Sequence, residues 1–185
     1  DGTLTSISHN IDESTPVMGV NSHPKSDDPS GSVGFYMDST LDTFSEDLER
    51  ALTGKAIENN LPRLRAIIDS TSGNRYTTDP AMNELLIANT HQYAPSKYHL
   101  RRGDKNTDQQ SSGLIFSTWL GQGAWFSHSL DPKSLTEIRD VVEAGEEDSH
   151  YFVLARDLDH QMRVDKKWSW LDWTETTTQI LSDMH

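Results

Sequence analysis

The stretch from Lys97 to Asp131 constrains the fold of this chain more than any other. It predicts three short strands, which run from Lys97 to Arg102, from Leu114 to Leu120 and from Gly123 to Leu130. Polar loops that contain glycine separate these strands, and loops of that composition interrupt regular structure. The chain must therefore build a small sheet around this stretch, and its other elements must bury the apolar face of that sheet.

The first of these strands ends in an arginine that shares the apolar face. Strand alternation places Tyr98, Leu100 and Arg102 on one side of the strand, and Gly103 follows at once. A guanidinium in this position could offer a planar, charged fork to a phosphate or carboxylate, while the glycine lets a ligand approach the backbone. The alternative is a structural ion pair, because the chain has 29 acidic residues that could supply a partner.

The third strand combines hydroxyl groups with an indole. The same alternation places Trp125, Ser127 and Ser129 together and turns the apolar Phe126 and Leu130 to the other side. Two hydroxyls beside an indole could hold a sugar or an amide by hydrogen bonds and stacking. The alternative is an ordinary half-exposed strand whose serines face water.

Hydrophobic residues at three- and four-residue spacing predict helices on both sides of the sheet-forming stretch. These helices are expected from Ser39 to Gly54, from Asn60 to Ile68, from Pro80 to about Asn89 and, after a capping box, from Ser134 to Gly145. A polar loop is expected between Gly103 and Ser112. The apolar run from Tyr151 to Ala155 predicts a central strand that is buried on both faces. The segment from Thr174 to Leu181 predicts a late strand.

These elements predict the fold class α+β, in which N-terminal helices pack on a small mixed or antiparallel sheet. Residues 1–38 are rich in serine, aspartate, proline and glycine, and we expect them to form a flexible or irregular arm. Residues 39–185 are expected to form a single α+β domain, since a chain of this length can bury a substantial core.

Composition excludes several classes of function. The formal net charge of −13 argues against nucleic-acid binding and against anionic membranes, and it favours a partner protein with a basic surface. The absence of cysteine excludes disulfides, a thiol nucleophile and thiolate metal sites. Asp157, Asp159 and His160 follow the apolar run, but their spacing matches neither a zinc site nor a calcium loop, so we expect no metal.

From about Ala81 to Leu181 the order of motifs resembles the ADP-ribosyltransferase family of the Arg-Ser-Glu class. The motifs that carry the resemblance are a strand ending in Arg-Gly and, some 25 residues later, a Phe-Ser-x-Ser-Leu-Asp strand followed by a helix. The resemblance implies that NAD is the substrate and that Arg102, together with Gly103, contacts its phosphates. It also implies that Ser127 and Ser129 shape the nicotinamide pocket, with Trp125 or Tyr98 available for stacking.

The same resemblance implies a catalytic glutamate at the start of the late strand. Glu175 is one candidate for the carboxylate that orients the ribose and stabilises the cationic transition state. In the other register Gln179 takes that place, and a neutral glutamine cannot offset a developing positive charge. The implied activity is transfer of ADP-ribose to a target protein by a toxin or effector that is secreted or translocated into a host cell; the other location is the cytoplasm.

Two other classes of function stay open on the sequence. An acidic protein-interaction domain, such as an inhibitor, an immunity protein or a non-enzymatic effector, would use the net charge to mask a basic partner. A carbohydrate-binding module would use the five tryptophans, all of which lie after residue 118. That module needs at least two exposed and coplanar indoles, whereas large aromatics at these spacings more often form the core of a small sheet.

Overall fold

The computed structural model describes residues 2–136, 138 and 149–183, apart from the side chain of Gln122. The chain divides into two compact units, Asp1–Leu61 and Pro62–His185. The described α-helices are α1 (Gly2–Ser8), α2 (Phe44–Leu52), α3 (Trp125–His128) and α4 (His160–Asp165), with 3₁₀ turns at Leu120–Gly123 and Lys167–Ser169. The strands are β1 (Val20–Asn21), β2 (Ser39–Thr40), β3 (Ile67–Asp69), β4 (Arg75–Thr77), β5 (Glu84–Ile87), β6 (Ser96–Arg102), β7 (Lys105–Ser111), β8 (Leu114–Ser117), β9 (Tyr151–Ala155), β10 (Leu171–Thr174) and β11 (Thr178–Ser182).

The first unit contains α1, α2 and a short parallel pair of strands, β1 and β2. The first 38 residues, expected to be an arm or a set of loops, include α1 and β1. Asn21 is buried in this segment and its side-chain amide donates to the carbonyl of Ser32 over 3.1 Å. The helix predicted between Ser39 and Gly54 is confirmed as α2. Its first turn carries acids and its last turn carries Arg50, an arrangement that suits the helix dipole.

The second unit is built from antiparallel sheets. One has four strands in the order β10-β9-β8-β5 and another has three in the order β11-β6-β7, while β3 and β4 form a separate hairpin. Helices beside mainly antiparallel sheets confirm the fold class α+β. The strands predicted from Lys97 to Arg102, from Tyr151 to Ala155 and near Ile180 are confirmed as β6, β9 and β11.

The core of this unit joins side chains of its two larger sheets in one apolar cluster. Tyr98 and Leu100 of β6 belong to the same cluster as Ile115 of β8 and Phe152 and Leu154 of β9. Leu100 and Ile115 are fully buried, and β9 lies between β8 and β10, as expected for a strand that is apolar on both faces. This burial is the main favourable contribution to the stability of the unit.

The chain passes from the three-stranded sheet to the four-stranded sheet through Gly113. Its φ of 124° is rarely accessible to other residues, and a Cβ there would lie 3.0 Å from the carbonyl oxygen of Ile87. Arg156, just after β9, closes this crossing with two backbone bonds. Its amide donates to the carbonyl of Gly113 and its carbonyl accepts from the amide of Ser112, both over 2.9 Å.

Two helices predicted before the sheet are strands instead. The segment from Pro80 to Asn89 contains β5, which pairs with β8 and turns Leu85 and Ile87 toward the core. The segment from Asn60 to Ile68 ends in β3, where two consecutive β-branched residues favour an extended chain. Pairing with another strand decides the structure here. A short strand can also contain apolar residues three or four positions apart, so their spacing does not distinguish a strand from a helix.

The expected polar loop from Gly103 to Ser112 is strand β7, whose inward residues Thr107, Gln109 and Ser111 are buried although polar. Each is hydrogen-bonded. The ammonium of Lys166 donates to Thr107 (2.8 Å), Gln109 donates to the hydroxyl of Ser169 (2.6 Å) and Ser111 pairs with the hydroxyl of Tyr98 (2.8 Å). A hydrophobicity pattern cannot reveal a strand whose buried face is made of polar residues that hydrogen-bond to other elements.

Three further predictions about local structure change. The second strand ends at Ser117 and gives way to a 3₁₀ turn, and the segment predicted as a third strand contains helix α3. The helix expected from Ser134 is already helical over residues 132–136 and at 138, and residues 137 and 139–148 lie outside the described part. The carboxylate of Asp131 accepts from the amide and the hydroxyl of Ser134 over 2.9 and 2.8 Å. The helix therefore begins one turn earlier than its capping-box pattern predicts.

Among the described residues, no helix has both the length and the apolar character that crossing a membrane requires.

Candidate functional site

A carboxylate at the start of β5 fixes the segment that follows β8. Glu84 lies opposite Ser117 in the β5–β8 pairing. One of its oxygens accepts hydrogen bonds from the backbone amides of Trp125 and Phe126, over 2.7 and 3.3 Å. These amides belong to the first turn of α3, where the helix itself offers no acceptor. Glu84 thereby determines where α3 begins and where its first side chain lies.

The loop between β8 and α3 packs tightly against the residues that precede Glu84. Ser117 and Thr118 are buried, the hydroxyl of Thr118 donates to the carbonyl of Met82, and its amide donates to the carbonyl of Asn83 over 3.0 Å. A Cβ at Gly121 would lie 2.5 Å from both the carbonyl oxygen of Asn83 and the hydroxyl of Ser117. Only glycine allows this approach, so Gly121 has a packing role that a simple turn would not need.

A cleft of about 430 Å³ is lined by residues of α3 and by residues that follow β9, and we refer to it as the Trp125 cleft. Its lining is Trp125, His128, Ser129, Leu130, Asp131, Leu154, Ala155, Arg156, Asp157, Arg163 and Trp170. The indole of Trp125 is 43% exposed, although it is one of the largest apolar side chains. The guanidinium carbon of Arg156 lies 5.2 Å from the centroid of this indole, a cation–π contact. The volume is within the usual range of small-molecule sites.

A second arginine–tryptophan pair forms a wall of the cleft. The guanidinium of Arg163 lies 5.0 Å from the ring centroid of Trp170, which is buried. Hydrogen bonds lock this pair, since the indole of Trp170 donates to the carbonyl of Arg163 (2.8 Å) and Nε of Arg163 donates to the carbonyl of Leu158 (3.0 Å). Asp157, between the two arginines in sequence, has a φ of 53°. Such strain in a residue other than glycine tends to occur near functional sites.

The arginine that was predicted to bind phosphate is buried in the sheet. The side chain of Arg102 is 5% exposed, and its guanidinium donates to Asp172 (2.8 Å), to the carbonyl of Trp168 (2.9 Å) and to the hydroxyl of Thr178 (3.0 Å). Burial lowers the pKa of Arg102 below its ordinary value, and the neighbouring Tyr151 and Asp172 oppose that shift. This arrangement is the structural ion pair that the sequence left as the alternative.

The two candidate catalytic residues lie near the end of the same sheet. Glu175 is exposed in the connection between β10 and β11. Gln179 is also exposed and pairs with Arg101, whereas Arg102 pairs with Thr178. Alternation along β6 and β11 therefore places Gln179 and the buried Arg102 on opposite faces of the sheet.

The other predicted ligand-binding residues are divided between the sheet and α3. Gly103 lies in the tight β6–β7 turn with a φ of 59°, and the ring of Tyr98 is buried in the core. Ser127 and Ser129 donate their hydroxyls to the carbonyls of Ala124 and Trp125, over 3.2 and 3.0 Å, as residues of a helical turn do. Of the predicted residues, Trp125 and Ser129 alone line the Trp125 cleft.

Sequence reasoning did not single out Glu84 or Arg156. A related signal was present for Arg156, because it directly follows an apolar strand, whereas Arg102 was selected as the last residue on the apolar face of a strand. Glu84 had no local signal, since its partners lie 41 and 42 residues later in the chain. No cluster of three or more acidic or histidine side chains suited to a metal ion occurs among the residues that the structure describes.

Comparison with known proteins finds a solved structure with a similar fold and a relative with a similar sequence segment. The structure matches the crystal structure of an NAD kinase from Archaeoglobus fulgidus in complex with ATP, with a TM-score of 0.65 and 17% sequence identity. That match covers 98% of this chain and 61% of the other. An 80-residue segment is 36% identical to a protein of Arabidopsis thaliana described as NADH kinase, covering 38% of this chain and 25% of the relative. The chain thus spans only part of each protein it matches. No protein-family model matches this chain.

These two similarities overturn the resemblance to ADP-ribosyltransferases. Both the sequence relative and the structural neighbour carry the name of a kinase that acts on a pyridine dinucleotide. The predictions of a toxin or effector and of ADP-ribose transfer were therefore wrong, because motifs as short as Arg-Gly and Ser-x-Ser recur in unrelated sheets. The roles assigned to Arg102, Ser127 and Glu175 rested on that resemblance. A basic partner protein, and the absence of nucleic-acid and membrane binding, stay predictions.

Proposed function

We propose that this protein is a kinase that transfers the terminal phosphoryl group of ATP to NAD or NADH. The observation that carries the proposal is the fold match to an ATP-bound NAD kinase over 98% of the chain. The 36% identity to an NADH kinase over 80 residues supports the same substrate class. NAD remains the expected substrate, but as a phosphoryl acceptor and not as a donor of ADP-ribose.

The proposed reaction joins the γ-phosphorus of ATP to the 2′-hydroxyl oxygen of the dinucleotide. The bond between that phosphorus and the β–γ bridging oxygen breaks, ADP leaves, the hydroxyl proton is released and NADP or NADPH forms. Phosphoryl transfer depends mainly on positioning and on positive charge near the phosphates. The Trp125 cleft offers a guanidinium beside an exposed indole, which suits a ligand with phosphates and an aromatic base. A reaction that consumes ATP favours the cytoplasmic location over secretion.

The test is product formation by the purified chain with ATP and magnesium ions, using NAD and NADH in separate reactions. NADP or NADPH is measured with a dehydrogenase specific for the phosphorylated cofactor. We expect product that depends on ATP and on one or both dinucleotides. A Trp125→Leu variant should lose activity, while the exposed Tyr93→Leu variant, changed outside the cleft, should keep it. Absence of product from both dinucleotides at saturating ATP would refute the proposal.

A further inference from the structure

Arg156 differs from Arg102 and Arg163 because its guanidinium donates to no oxygen of the described residues. Its backbone is fixed by the two bonds to Ser112 and Gly113. Its guanidinium contacts the ring of Trp125 and makes no hydrogen bond or ion pair with any residue in the described part of the chain. Arg102 and Arg163, by contrast, donate to carbonyl or carboxylate oxygens. Among the residues that the structure describes, no acid therefore neutralises this half-buried guanidinium beside the cleft.

The contact with Trp125 leaves the hydrogen-bonding capacity of Arg156 intact. A guanidinium is planar and its five N–H groups point outward in that plane, so a group held near a ring still offers its donors to an anion. The ring reduces the freedom of the side chain, which lowers the entropy cost of binding. A phosphate or diphosphate has the geometry to accept two of these donors at once.

The charges around the cleft permit an anion to bind. Asp131 and Asp157 balance Arg156 and Arg163, so the cleft side chains are formally neutral in a chain of net charge −13. The carboxylate of Asp131 is already engaged by the amide and the hydroxyl of Ser134, and these hydrogen bonds lower its pKa. A bound phosphate therefore meets no net repulsion from the lining of the cleft.

The exposed part of Trp125 provides the second half of a nucleotide site. Trp125 is 43% exposed and lines the cleft, whereas the buried Trp170 is covered by Arg163. Bases stack on exposed aromatic rings whatever their identity, because every base has a π face. The backbone amide of Trp125 is held by Glu84, so the ring projects from a fixed position.

We propose that the Trp125 cleft binds the adenosine diphosphate group that ATP and NAD share, with Arg156 donating to phosphate oxygens and Trp125 stacking on the base. This inference rests on the proposed kinase function and names the part of its substrates that this cleft takes.

The test measures binding without turnover. ADP and adenosine are titrated into the full chain by calorimetry and by tryptophan fluorescence, with wild type beside Arg156→Ala, Arg156→Lys and Trp125→Leu. Because hydrogen bonds to charged groups are stronger than those between neutral groups, we expect Arg156→Ala to weaken ADP binding roughly tenfold or more. Arg156→Lys should retain part of the affinity, since it keeps the charge and loses the fork. Adenosine binding should change little in either arginine variant and should weaken several-fold in Trp125→Leu.

The matched control is Arg101→Ala, which removes the same charge from the outer face of β6. Arg101 is exposed and lies outside the cleft, and its Nε donates to the carbonyl of Gly103 over 3.4 Å. Equal loss of ADP affinity in Arg101→Ala and Arg156→Ala would show a nonspecific charge effect and overturn the inference. Unchanged ADP binding in Arg156→Ala and Arg156→Lys, with both variants folded by circular dichroism, would also overturn it.

The inference and the kinase proposal fail in distinguishable ways. If the chain forms NADP or NADPH but ADP affinity is unchanged in the Arg156 and Trp125 variants, the cleft assignment is wrong and the kinase proposal stands. If ADP binding depends on both residues but no phosphorylated dinucleotide forms, the cleft binds nucleotides and the kinase proposal fails. If wild type binds neither ADP nor adenosine, the inference is refuted by binding alone.

Discussion

Replacing Gly121 by alanine should destabilise the fold through one defined clash. The new Cβ would lie 2.5 Å from the carbonyl oxygen of Asn83 and 2.5 Å from the hydroxyl of Ser117. These distances are about 1 Å shorter than ordinary non-bonded contacts. Ser117 is fully buried and the Asn83 carbonyl already accepts from Thr118, so neither atom can move away freely.

The size of the effect follows from two opposing contributions. Overpacking of a buried site costs about 1–3 kcal/mol. Alanine also restricts the unfolded chain, which stabilises the folded state by about 0.4–1 kcal/mol where the backbone conformation suits it. We expect a net loss of about 1–2 kcal/mol in the free energy of unfolding for Gly121→Ala. For a chain of this length each kcal/mol lowers Tm by about 2–4 °C.

Gly123→Ala is a matched control in the same loop. Nothing lies within 4 Å of a Cβ built on Gly123, so this variant should equal wild type or be slightly more stable. Urea unfolding followed by tryptophan fluorescence and circular dichroism measures both variants. The transition midpoint should fall in Gly121→Ala with an unchanged slope. If the two variants unfold within about 0.5 kcal/mol of each other, the packing argument is refuted; surface substitutions already differ by that much.

Two further predictions concern buried polar groups of the three-stranded sheet. Asp172→Ala leaves the buried guanidinium of Arg102 without its carboxylate; removing one partner of a fully buried pair costs about 3–5 kcal/mol, and because Asp172 is 38% exposed we expect about 2 kcal/mol by urea unfolding. Burial raises the pKa of Tyr98 to about 12. The folded state therefore prefers the protonated phenol of Tyr98. The contribution of this preference to stability is fully present below pH ~10 and is lost as the pH rises toward 12. Tyrosinate absorbance should show Tyr98 ionising only as the pH approaches 12.

Each of these predictions has its own control. Asp108→Ala removes an acid that is 92% exposed and pairs with His99, so it should change the unfolding free energy by no more than about 0.5 kcal/mol. An equal loss in Asp108→Ala and Asp172→Ala would contradict the role of burial. In Tyr98→Phe the late tyrosinate signal should disappear. If wild type shows no late tyrosinate signal that is missing from Tyr98→Phe, the buried position of Tyr98 is wrong.

Local sequence patterns were sufficient to predict structure where a residue's environment depends on its near neighbours in the chain. The alternation of Tyr98, Leu100 and Arg102 predicted which face of β6 is buried, and the apolar run from Tyr151 to Ala155 predicted a central strand. The spacing of leucines predicted α2. Each inference holds because covalent geometry alone fixes the periods of helix and strand.

Long-range partners decided the rest. The segment from Pro80 to Asn89 is a strand because β8, about thirty residues later, supplies its hydrogen bonds. The segment near Trp125 is a helix because Glu84 satisfies its first amides, and no local pattern announces that contact. Motif order gave the wrong family for the same reason, since it placed Arg102 in a cleft without knowledge of its partners.

The sequence by itself determined the α+β class, the composition of the core strands and the charge of the surface, because these depend on period and composition. The tertiary structure decided which arginine is paired. Arg102 donates to oxygens on residues 66 to 76 positions away, whereas within residues 2–136, 138 and 149–183 the guanidinium of Arg156 contacts the indole of Trp125. Arg102 ends β6 and Arg156 follows β9, and only the packing of distant elements shows that the donors of Arg102 are engaged.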